Sequence, residues 1–183
     1  MRIITGSARG THLKSPPDNT TRPTADRVKE SLFSVLGTKV IDAAVLDLFA
    51  GTGALALEAL SRGATFAVLV DNKTRRTITA NVQLTHFADR TEILATDVFS
   101  AIKHLTRNER IFDLIFCDPP YGKQLAERAA NMSSALMDKN SLLIVEHGAK
   151  EFAENPAPTK LNCIRRISYG NTTAISLFQK VYD

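Results

Sequence analysis

Residues 44–58 read Ala-Val-Leu-Asp-Leu-Phe-Ala-Gly-Thr-Gly-Ala-Leu-Ala-Leu-Glu, and they constrain the fold more than any other stretch of this chain. An apolar run with an acid near its end passes through Gly51 and Gly53 into a helical pattern. This order predicts a buried strand, a tight turn and the N-terminus of a helix. Glycines let the backbone turn sharply and approach a ligand closely, and the helix N-terminus offers that ligand free N–H groups.

The same stretch also fits a dinucleotide-binding turn. Gly51, Gly53 and Ala56 satisfy the pattern G-x-G-x-x-G/A, and Asp71 follows at about the spacing of the acid that binds a ribose. A nicotinamide enzyme is therefore one candidate. An ordinary strand-to-helix turn in an α/β domain is another, and the rest of the chain has to separate them.

Apolar strand patterns alternate with helix-sized segments after this turn. The expected strands are residues 45–48, 66–70, 92–95, 112–117 and 141–146, and the expected helices are residues 54–62, 72–85 with Asn72 as the cap, 99–105 and 124–137. Residues 160–169 and 172–179 are strand-like and are joined by Gly-Asn, which is typical of a hairpin. These patterns predict an α/β fold with a mostly parallel, seven-stranded sheet that ends in an antiparallel hairpin.

The N-terminal part of the chain has a different pattern. Residues 1–22 are expected to form a short β-hairpin arm around Gly6 and Gly10, and residues 23–183 the main domain. A helix should follow the arm, capped by Thr24 and ending near residue 36, with Lys29 on its polar face.

The positive charge is concentrated in this N-terminal part. Residues 1–40 hold seven basic and three acidic residues, an excess that equals the net charge of +4 of the whole protein. A basic N-terminal arm on a nearly neutral protein suggests a polyanionic binding partner such as nucleic acid. An ordinary solvated surface would also explain so small an excess of positive charge. The candidate contacts to such a partner are Arg2, Arg9, Lys14, Arg22, Thr24 and Arg27.

Composition excludes several classes of protein. With 183 residues, 44% of them apolar, the chain can form one full core, and its apolar runs are too short for a transmembrane helix. No signal-peptide core follows the first basic residue. Cys117 and Cys163 lie in apolar strand patterns and are expected to be reduced core residues, so we expect a cytoplasmic protein. The four histidines lack ligand spacing, and no metal site is expected.

Each of the first four expected strands delivers an acid near its carboxyl end. These acids are Asp47, Asp71, Asp97 and Asp118. Ligands of open parallel sheets bind at this edge, and gathering carboxylates there is unfavourable unless something pairs with them. Carboxylates suit ribose hydroxyls, an adenine amine or a cation, but they do not suit a pyrophosphate. The acids therefore favour a nucleoside ligand with little negative charge over a dinucleotide.

Asp118-Pro119-Pro120-Tyr121 is the most specific motif of the chain. The two prolines fix a stiff extended turn after a strand, which holds the Asp118 carboxylate and the backbone carbonyls in place. These oxygens can accept hydrogen bonds from an amine while the Tyr121 ring stacks on a base. The alternative is a proline turn that only caps the strand, with Tyr121 in the core.

These motifs together resemble those of class I S-adenosylmethionine-dependent methyltransferases. Residues 47–53 resemble the cofactor motif, and residues 118–121 resemble the (Asn/Asp)-Pro-Pro-(Tyr/Phe) motif of enzymes that methylate amino groups. More closely, the chain resembles the RsmD family of bacterial 16S rRNA guanine-N2 methyltransferases. That resemblance covers essentially the whole chain and rests on residues 1–6 with Leu13-Lys14, 21–30, 145–147 and 169–172. The chain departs from the family in Asp71, which is often Glu, and in Thr96, which is more often Gly.

The resemblance implies a Rossmann-like class I methyltransferase that uses S-adenosylmethionine. Its methyl acceptor would be the exocyclic N2 amine of a guanine in 16S rRNA, either free or in an assembling small ribosomal subunit. Asp47 would lie near the cofactor's ammonium group, Asp71 at its ribose, and Asp97 with Val98 at its adenine. The implied cofactor-binding set is Asp47, Phe49, Gly51, Gly53, Asp71, Asn72, Asp97 and Val98. The implied catalytic set is Asp118, Pro119, Pro120 and Tyr121, and a monomer without metal is expected.

Three other functions remain open at this point. A DNA amino-methyltransferase, acting on adenine N6 or cytosine N4, would share the catalytic motif, but 183 residues leave little room for a sequence-reading domain. An NAD-dependent oxidoreductase would leave residues 118–121 and the basic arm unexplained. A cofactor-free RNA-binding protein would leave the acids at the strand ends without a role.

Overall fold

The computed structural model describes residues 1–16, 26–120, 125–149 and 160–182. The helices are α1 Asp26–Leu36, α2 Ala54–Ser61, α3 Arg75–Leu84, α4 Val98–Arg107 and α5 Leu125–Ser133, and the strands are β1 Ala44–Leu48, β2 Phe66–Val70, β3 Thr91–Leu94, β4 Leu114–Cys117, β5 Leu142–Gly148, β6 Leu161–Tyr169 and β7 Thr173–Lys180. Three candidate site residues, Arg22, Thr24 and Tyr121, lie outside the described residues, as does the expected arm boundary.

The strands belong to a seven-stranded sheet in the order β3-β2-β1-β4-β5-β7-β6. The chain forms two compact units, Met1–Asp97 and Val98–Asp183. In the first unit, β1 pairs in parallel with β2, and β2 with β3. In the second unit, β4 and β5 are parallel, whereas β7 is antiparallel to both β5 and β6. The mostly parallel sheet and its antiparallel C-terminal pair are therefore confirmed.

Helix α2 is buried on nearly all of its faces, because the sheet of the first unit contacts one side of it and the N-terminal segment, residues 1–16, contacts the other. The N-terminal segment folds back on itself as an antiparallel loop. The Ile3 N–H donates to the Thr11 carbonyl at 3.0 Å, and the Leu13 N–H donates to the Met1 carbonyl at 3.1 Å. Ile3 and Leu13 are both buried, so this basic segment is anchored through its own apolar side chains.

The polar face expected for α1 is wrong at Lys29, whose side chain is fully buried. Its ammonium group lies 3.1 Å from a carboxylate oxygen of Glu58, a residue of α2 that is also fully buried. Desolvation lowers the pKa of Lys29, and the charge of Glu58 opposes this effect. The helical pattern of α1 gave no sign of a buried acid elsewhere in the chain, so the sequence placed Lys29 in solvent.

Strand β6 lies at an edge of the sheet, and most of its side chains are exposed. A β-bulge between Cys163 and Arg165 shifts its register against β7. The expectation of a core cysteine is confirmed for Cys117, which is buried, and wrong for Cys163, which is exposed on this edge; both are free thiols. Within the described ranges, no helix combines the length and the apolar character needed to cross a bilayer.

Candidate functional site

The turn between β1 and α2 has a strained backbone. Phe49, Gly51 and Gly53 all have positive φ angles, of 64°, 57° and 78°. Only glycine adopts this region freely, so Phe49 carries a backbone strain that often marks functional sites. A Cβ atom on Gly53 would lie 2.7 Å from Cδ2 of Leu69. The positive φ therefore favours glycine there, and a Cβ atom would in addition require the Leu69 side chain to shift. We call residues 49–53 the glycine turn.

Asp71, the residue after β2, holds the glycine turn in place. Its Oδ2 accepts a hydrogen bond from the Gly51 N–H at 3.0 Å. Its Oδ1 accepts the N–H groups of Lys73 at 2.8 Å and Thr74 at 3.0 Å. The expectation that Asn72 caps the following helix is therefore wrong: α3 begins at Arg75, and the carboxylate of Asp71 takes the free N–H groups before it. A carboxylate accepts more strongly than an amide oxygen.

Asp47 is the buried acid of the site. Its Oδ2 accepts the N–H of Ala56, in the first turn of α2, at 3.2 Å. Burial raises the pKa of the Asp47 carboxyl to about 7; the hydrogen bond from Ala56 opposes the shift, and the negative charge of Asp71 adds to it. The ends of β1 and β2 thus bring two carboxylates close enough to interact, and a cationic group nearby would favour the ionised form of Asp47.

The remaining cofactor-site candidates are divided between the two units. Asn72 and Asp97 are exposed, and Asp97 is the last residue of the first unit. Val98 is buried and begins α4 in the second unit. The first unit therefore brings together Asp47, Phe49, Gly51, Gly53 and Asp71 around one turn, and their contact with a cofactor stays a prediction.

The proline motif follows a strand whose four residues are all buried, Leu114–Cys117. Asp118 is half-buried, Pro119 is buried and Pro120 is exposed. The motif therefore begins where the chain leaves the core of the second unit, with the Asp118 side chain partly accessible to solvent. Since a proline fixes φ and restricts the residue before it, this part of the backbone is stiff.

Glu58 anchors the N-terminal segment, and sequence analysis did not identify it as a site residue. Its Oε2 accepts the Ile4 N–H at 2.7 Å, and its Oε1 accepts the Thr5 N–H at 3.1 Å. Arg62, the residue that follows α2, donates to Oε1 at 2.8 Å. A lone acid in the otherwise apolar sequence Ala-Leu-Ala-Leu-Glu-Ala-Leu was the available signal, because a buried carboxylate needs partners.

The candidate RNA contacts within the described residues are solvent-exposed. Arg9, Lys14 and Arg27 are exposed, and Arg2 is exposed with its Nε 3.7 Å from a carboxylate oxygen of Asp26. Because Glu58 and the buried Ile3 hold the backbone of the N-terminal segment, the side chains of Arg2, Arg9 and Lys14 extend from an anchored backbone, whereas Arg27 lies on α1. Among residues 1–16, 26–120, 125–149 and 160–182, no group of three or more His, Cys, Asp or Glu residues is placed to hold a metal ion.

Comparison with known proteins gives consistent matches. The family described as conserved hypothetical protein 95 matches residues 1–179. Ribosomal RNA small subunit methyltransferase D of Escherichia coli K12 is 35% identical over 163 residues, covering 87% of this chain and 78% of that relative. The solved yhhF protein of E. coli is 32% identical with a TM-score of 0.83, covering 98% of this chain and 97% of that chain. The solved protein SMU.776, complexed with SAH, is 18% identical with a TM-score of 0.68 over 84% of this chain and 49% of that chain, which shows a shared fold alone.

The sheet order and the glycine turn after β1 identify the class of protein: the fold is that of a Rossmann-like class I methyltransferase. Identity above 30% over most of the chain then narrows this class to one family. The chain belongs to the RsmD family, as the motifs indicated.

Proposed function

We propose that this protein transfers a methyl group from S-adenosylmethionine to the exocyclic N2 amine of a guanine in 16S rRNA. The observation that carries the proposal is the glycine turn, with the Gly51 N–H bound to Asp71 and the buried Asp47 beside it. Membership of the RsmD family supports rRNA as the substrate, because the E. coli relative is named for the small-subunit rRNA. SAH, the ligand of SMU.776, is the by-product of methyl transfer from S-adenosylmethionine, which supports the cofactor.

The donor set of the first unit fits this cofactor. The pKa of Asp47 is raised to about 7 because burial leaves its carboxylate poorly compensated, and an ammonium group would supply the missing positive charge. Asp71 keeps lone pairs that can accept hydrogen bonds from ribose hydroxyls. Gly51 and Gly53 allow the ligand to approach the backbone. The cofactor-binding set is completed by Phe49, Asn72, Asp97 and Val98.

The proline motif would orient the methyl acceptor. When bound, S-adenosylmethionine supplies an electrophilic methyl group on a sulfonium. The guanine amine is a poor nucleophile because its lone pair is delocalised into the ring. Hydrogen bonds from the amine to the Asp118 carboxylate and the Pro119 carbonyl would direct that lone pair away from the ring, with Pro120 stiffening the turn and Tyr121 stacking on the base. Asp118 need not be a strong base, because the amine becomes acidic once it is methylated.

The N-terminal segment, together with Arg27 of α1, would hold the RNA backbone. Arg2, Arg9, Lys14 and Arg27 would contact phosphates, which fix the register of the RNA, while the extruded guanine carries the chemistry. Arg22 and Thr24 complete the candidate set by sequence position.

Labelled methyl transfer tests the proposal directly. The protein would be incubated with radiolabelled S-adenosylmethionine and with naked rRNA, small-subunit particles that lack this modification, or duplex DNA. Label recovered as N2-methylguanosine from rRNA is the expected result. Asp118→Ala should lower kcat about 100-fold or more, because it removes a positioned acceptor of the reacting amine. Asp113→Ala, an exposed acid just before the same strand, serves as the matched control and should leave kcat nearly unchanged.

Two outcomes would contradict the proposal in different ways. Label in duplex DNA and none in rRNA would identify a DNA amino-methyltransferase. Binding of S-adenosylmethionine without methyl transfer to any of the three substrates would support the proposed cofactor and contradict the proposed rRNA reaction.

A further inference from the structure

Asn81 of α3 has a fully buried side chain whose hydrogen bonds reach two separate parts of the first unit. Its Oδ1 accepts the Lys14 N–H at 2.7 Å. Its Nδ2 donates to the Lys14 carbonyl at 3.0 Å and to the Thr52 carbonyl at 2.9 Å. An amide group has two N–H donors, and both are used here. One side chain therefore joins the N-terminal segment to the glycine turn.

The hydrogen bond from Asn81 to the Thr52 carbonyl is made to the peptide group that joins Thr52 to Gly53. The Thr52 carbonyl and the Gly53 N–H belong to the same planar peptide group. Asn81 binds the oxygen end of this group, and at the other end the Gly53 N–H donates to the Ala50 carbonyl at 2.7 Å. The orientation of the peptide group is thus fixed at both ends. Loss of the Asn81 amide would release one end and leave a buried carbonyl without this donor.

The N-terminal segment touches the glycine turn at a second point, since Oγ1 of Thr52 lies 3.8 Å from Sδ of Met1. Its other anchors are on α1, where Lys29 Nζ donates to the Arg2 carbonyl at 2.5 Å, and on α2. The Ser61 Oγ donates to the Thr5 carbonyl at 2.6 Å and accepts the Ala8 N–H at 3.0 Å, without a bond to the turn. The N-terminal segment is therefore held in two ways. The bonds from Ser61 hold only the segment, whereas the bonds from Asn81 hold both the segment and the glycine turn.

We propose that Asn81 is a positioning residue that couples RNA binding on the N-terminal segment to cofactor binding at the glycine turn. The inference rests on the proposed function, which places RNA on the segment and the cofactor at the turn. RNA bound to residues 1–16 would hold Lys14 more firmly against Asn81, and Asn81 would hold the Thr52–Gly53 peptide group in its binding orientation. Coupling of this kind is reciprocal, so a bound cofactor strengthens RNA binding by the same factor.

Asn81→Ala and Ser61→Ala form a matched pair for the test. Each variant loses side-chain hydrogen bonds to the N-terminal segment, but only Asn81→Ala loses one to the glycine turn. The affinity for S-adenosylhomocysteine would be measured by calorimetry with and without saturating 16S rRNA fragment. RNA should raise the affinity of the unchanged protein several-fold. In Asn81→Ala that increase should disappear and the RNA-free affinity should fall about tenfold, whereas Ser61→Ala should keep both.

Hydrogen exchange tests the same link without any ligand. The Gly53 amide should exchange faster in Asn81→Ala than in Ser61→Ala, because only the first variant frees its peptide group. If Asn81→Ala does not fold, Asn81→Ser replaces it, since serine brings no charge into this buried site and lacks the amide donors.

Each outcome bears on one proposal. Equal affinities, equal RNA effects and equal Gly53 exchange in the two variants would overturn the role of Asn81. An unchanged protein that binds neither S-adenosylhomocysteine nor RNA would instead contradict the proposed function, while the exchange measurement would still decide whether Asn81 holds the turn.

Discussion

Asp47 is a buried residue whose surroundings disfavour the charged form of its carboxyl group. Its carboxyl has a pKa of about 7 in the folded protein against 3.8 in a model peptide. Between these two values the folded state keeps a proton that the unfolded state has released. The free energy of unfolding therefore decreases as pH rises from about 4 to 7, by roughly 4 kcal/mol for a shift of this size.

Asp47→Asn should remove this pH dependence, because the amide has a similar shape and does not titrate. The unfolding free energy of Asp47→Asn relative to the unchanged protein should rise by roughly 2–4 kcal/mol between pH 4 and pH 8. Chemical denaturation at a series of pH values measures this difference. If the unfolding free energies of the two proteins had the same pH dependence, the pKa of Asp47 would not be raised.

Asp138→Asn provides a control of opposite sign. Hydrogen bonds from the Asn140 and Ser141 N–H groups and from the Ser141 hydroxyl lower the pKa of Asp138, with the Asn140 bond the largest cause. Its contribution to stability is present above the unfolded pKa and is lost as pH falls through the folded one. Asp138→Asn should therefore lose stability at neutral pH relative to acid pH, the reverse of Asp47→Asn.

The contact between the N-terminal segment and α2 is the main anchoring feature at the scale of elements. Gly6 and Gly10 have nearly equal φ angles, of +90° and +86°, but different surroundings. A Cβ atom on Gly6 would lie 1.8 Å from the Ser61 carbonyl oxygen, whereas one on Gly10 would meet nothing within 4 Å. A comparison of substitutions at Gly6 and Gly10 therefore separates the effect of backbone strain from that of a steric clash with α2.

Gly6→Ala should displace the segment from α2, because a backbone carbonyl cannot move aside as a flexible side chain can. Gly10→Ala should lose only about 1 kcal/mol from backbone strain. Thermal unfolding and hydrogen exchange at the Ile4 and Thr5 amides would measure both variants. Equal effects of the two substitutions would mean that residues 1–16 are not tightly docked on α2.

Strand β6 shows how this fold limits pairing at an open sheet edge. Its bulge shifts the register after Cys163, and the exposed Arg165 and Arg166 follow it. The Arg166 guanidinium also donates to the Ala149 carbonyl. Bulges and charged side chains on edge strands discourage pairing with other chains, so Arg165 and Arg166 have a structural explanation at this edge.

The distribution of charge over the whole molecule gives a further prediction. Arg9→Glu with Lys14→Glu should weaken RNA binding and reduce its salt dependence by about two ion equivalents, because two phosphate contacts are lost. Affinity for S-adenosylhomocysteine without RNA should stay nearly unchanged, since the Lys14 backbone still binds Asn81. Titrations at several salt concentrations would measure both effects.

Lys160→Glu with Arg165→Glu is the matched control, because it changes the net charge by the same amount at the β6 edge. It should weaken RNA binding less than the change in the N-terminal segment. Equal losses in the two double variants would indicate a general effect of net charge and argue against a specific role of residues 1–16.

Local patterns predicted most of the architecture and the residues that meet at the glycine turn. Strand β2 was placed at its observed bounds, and most other elements were placed within one or two residues, because apolar periodicity and glycine report directly on burial and turns. Asp47, Gly51, Gly53 and Asp71 were identified because one short turn and the two strands beside it gather them. Asn72 was wrongly assigned as a cap, since the neighbouring Asp71 competes for the same N–H groups.

The sequence by itself determined the class I methyltransferase fold, the RsmD family and the glycine turn, because these depend on residues that are close in the chain. Only the tertiary structure decided that Lys29 is buried against Glu58, that Cys163 is exposed, and that Asn81 joins Lys14 to Thr52. The contacts of Lys29 and Asn81 depend on polar groups 29 to 67 residues apart in the chain, and the exposure of Cys163 depends on the position of β6 at the sheet edge. The periodicity of apolar residues predicts which positions are buried. It does not predict which polar groups pair in the interior, because tertiary packing determines those pairs.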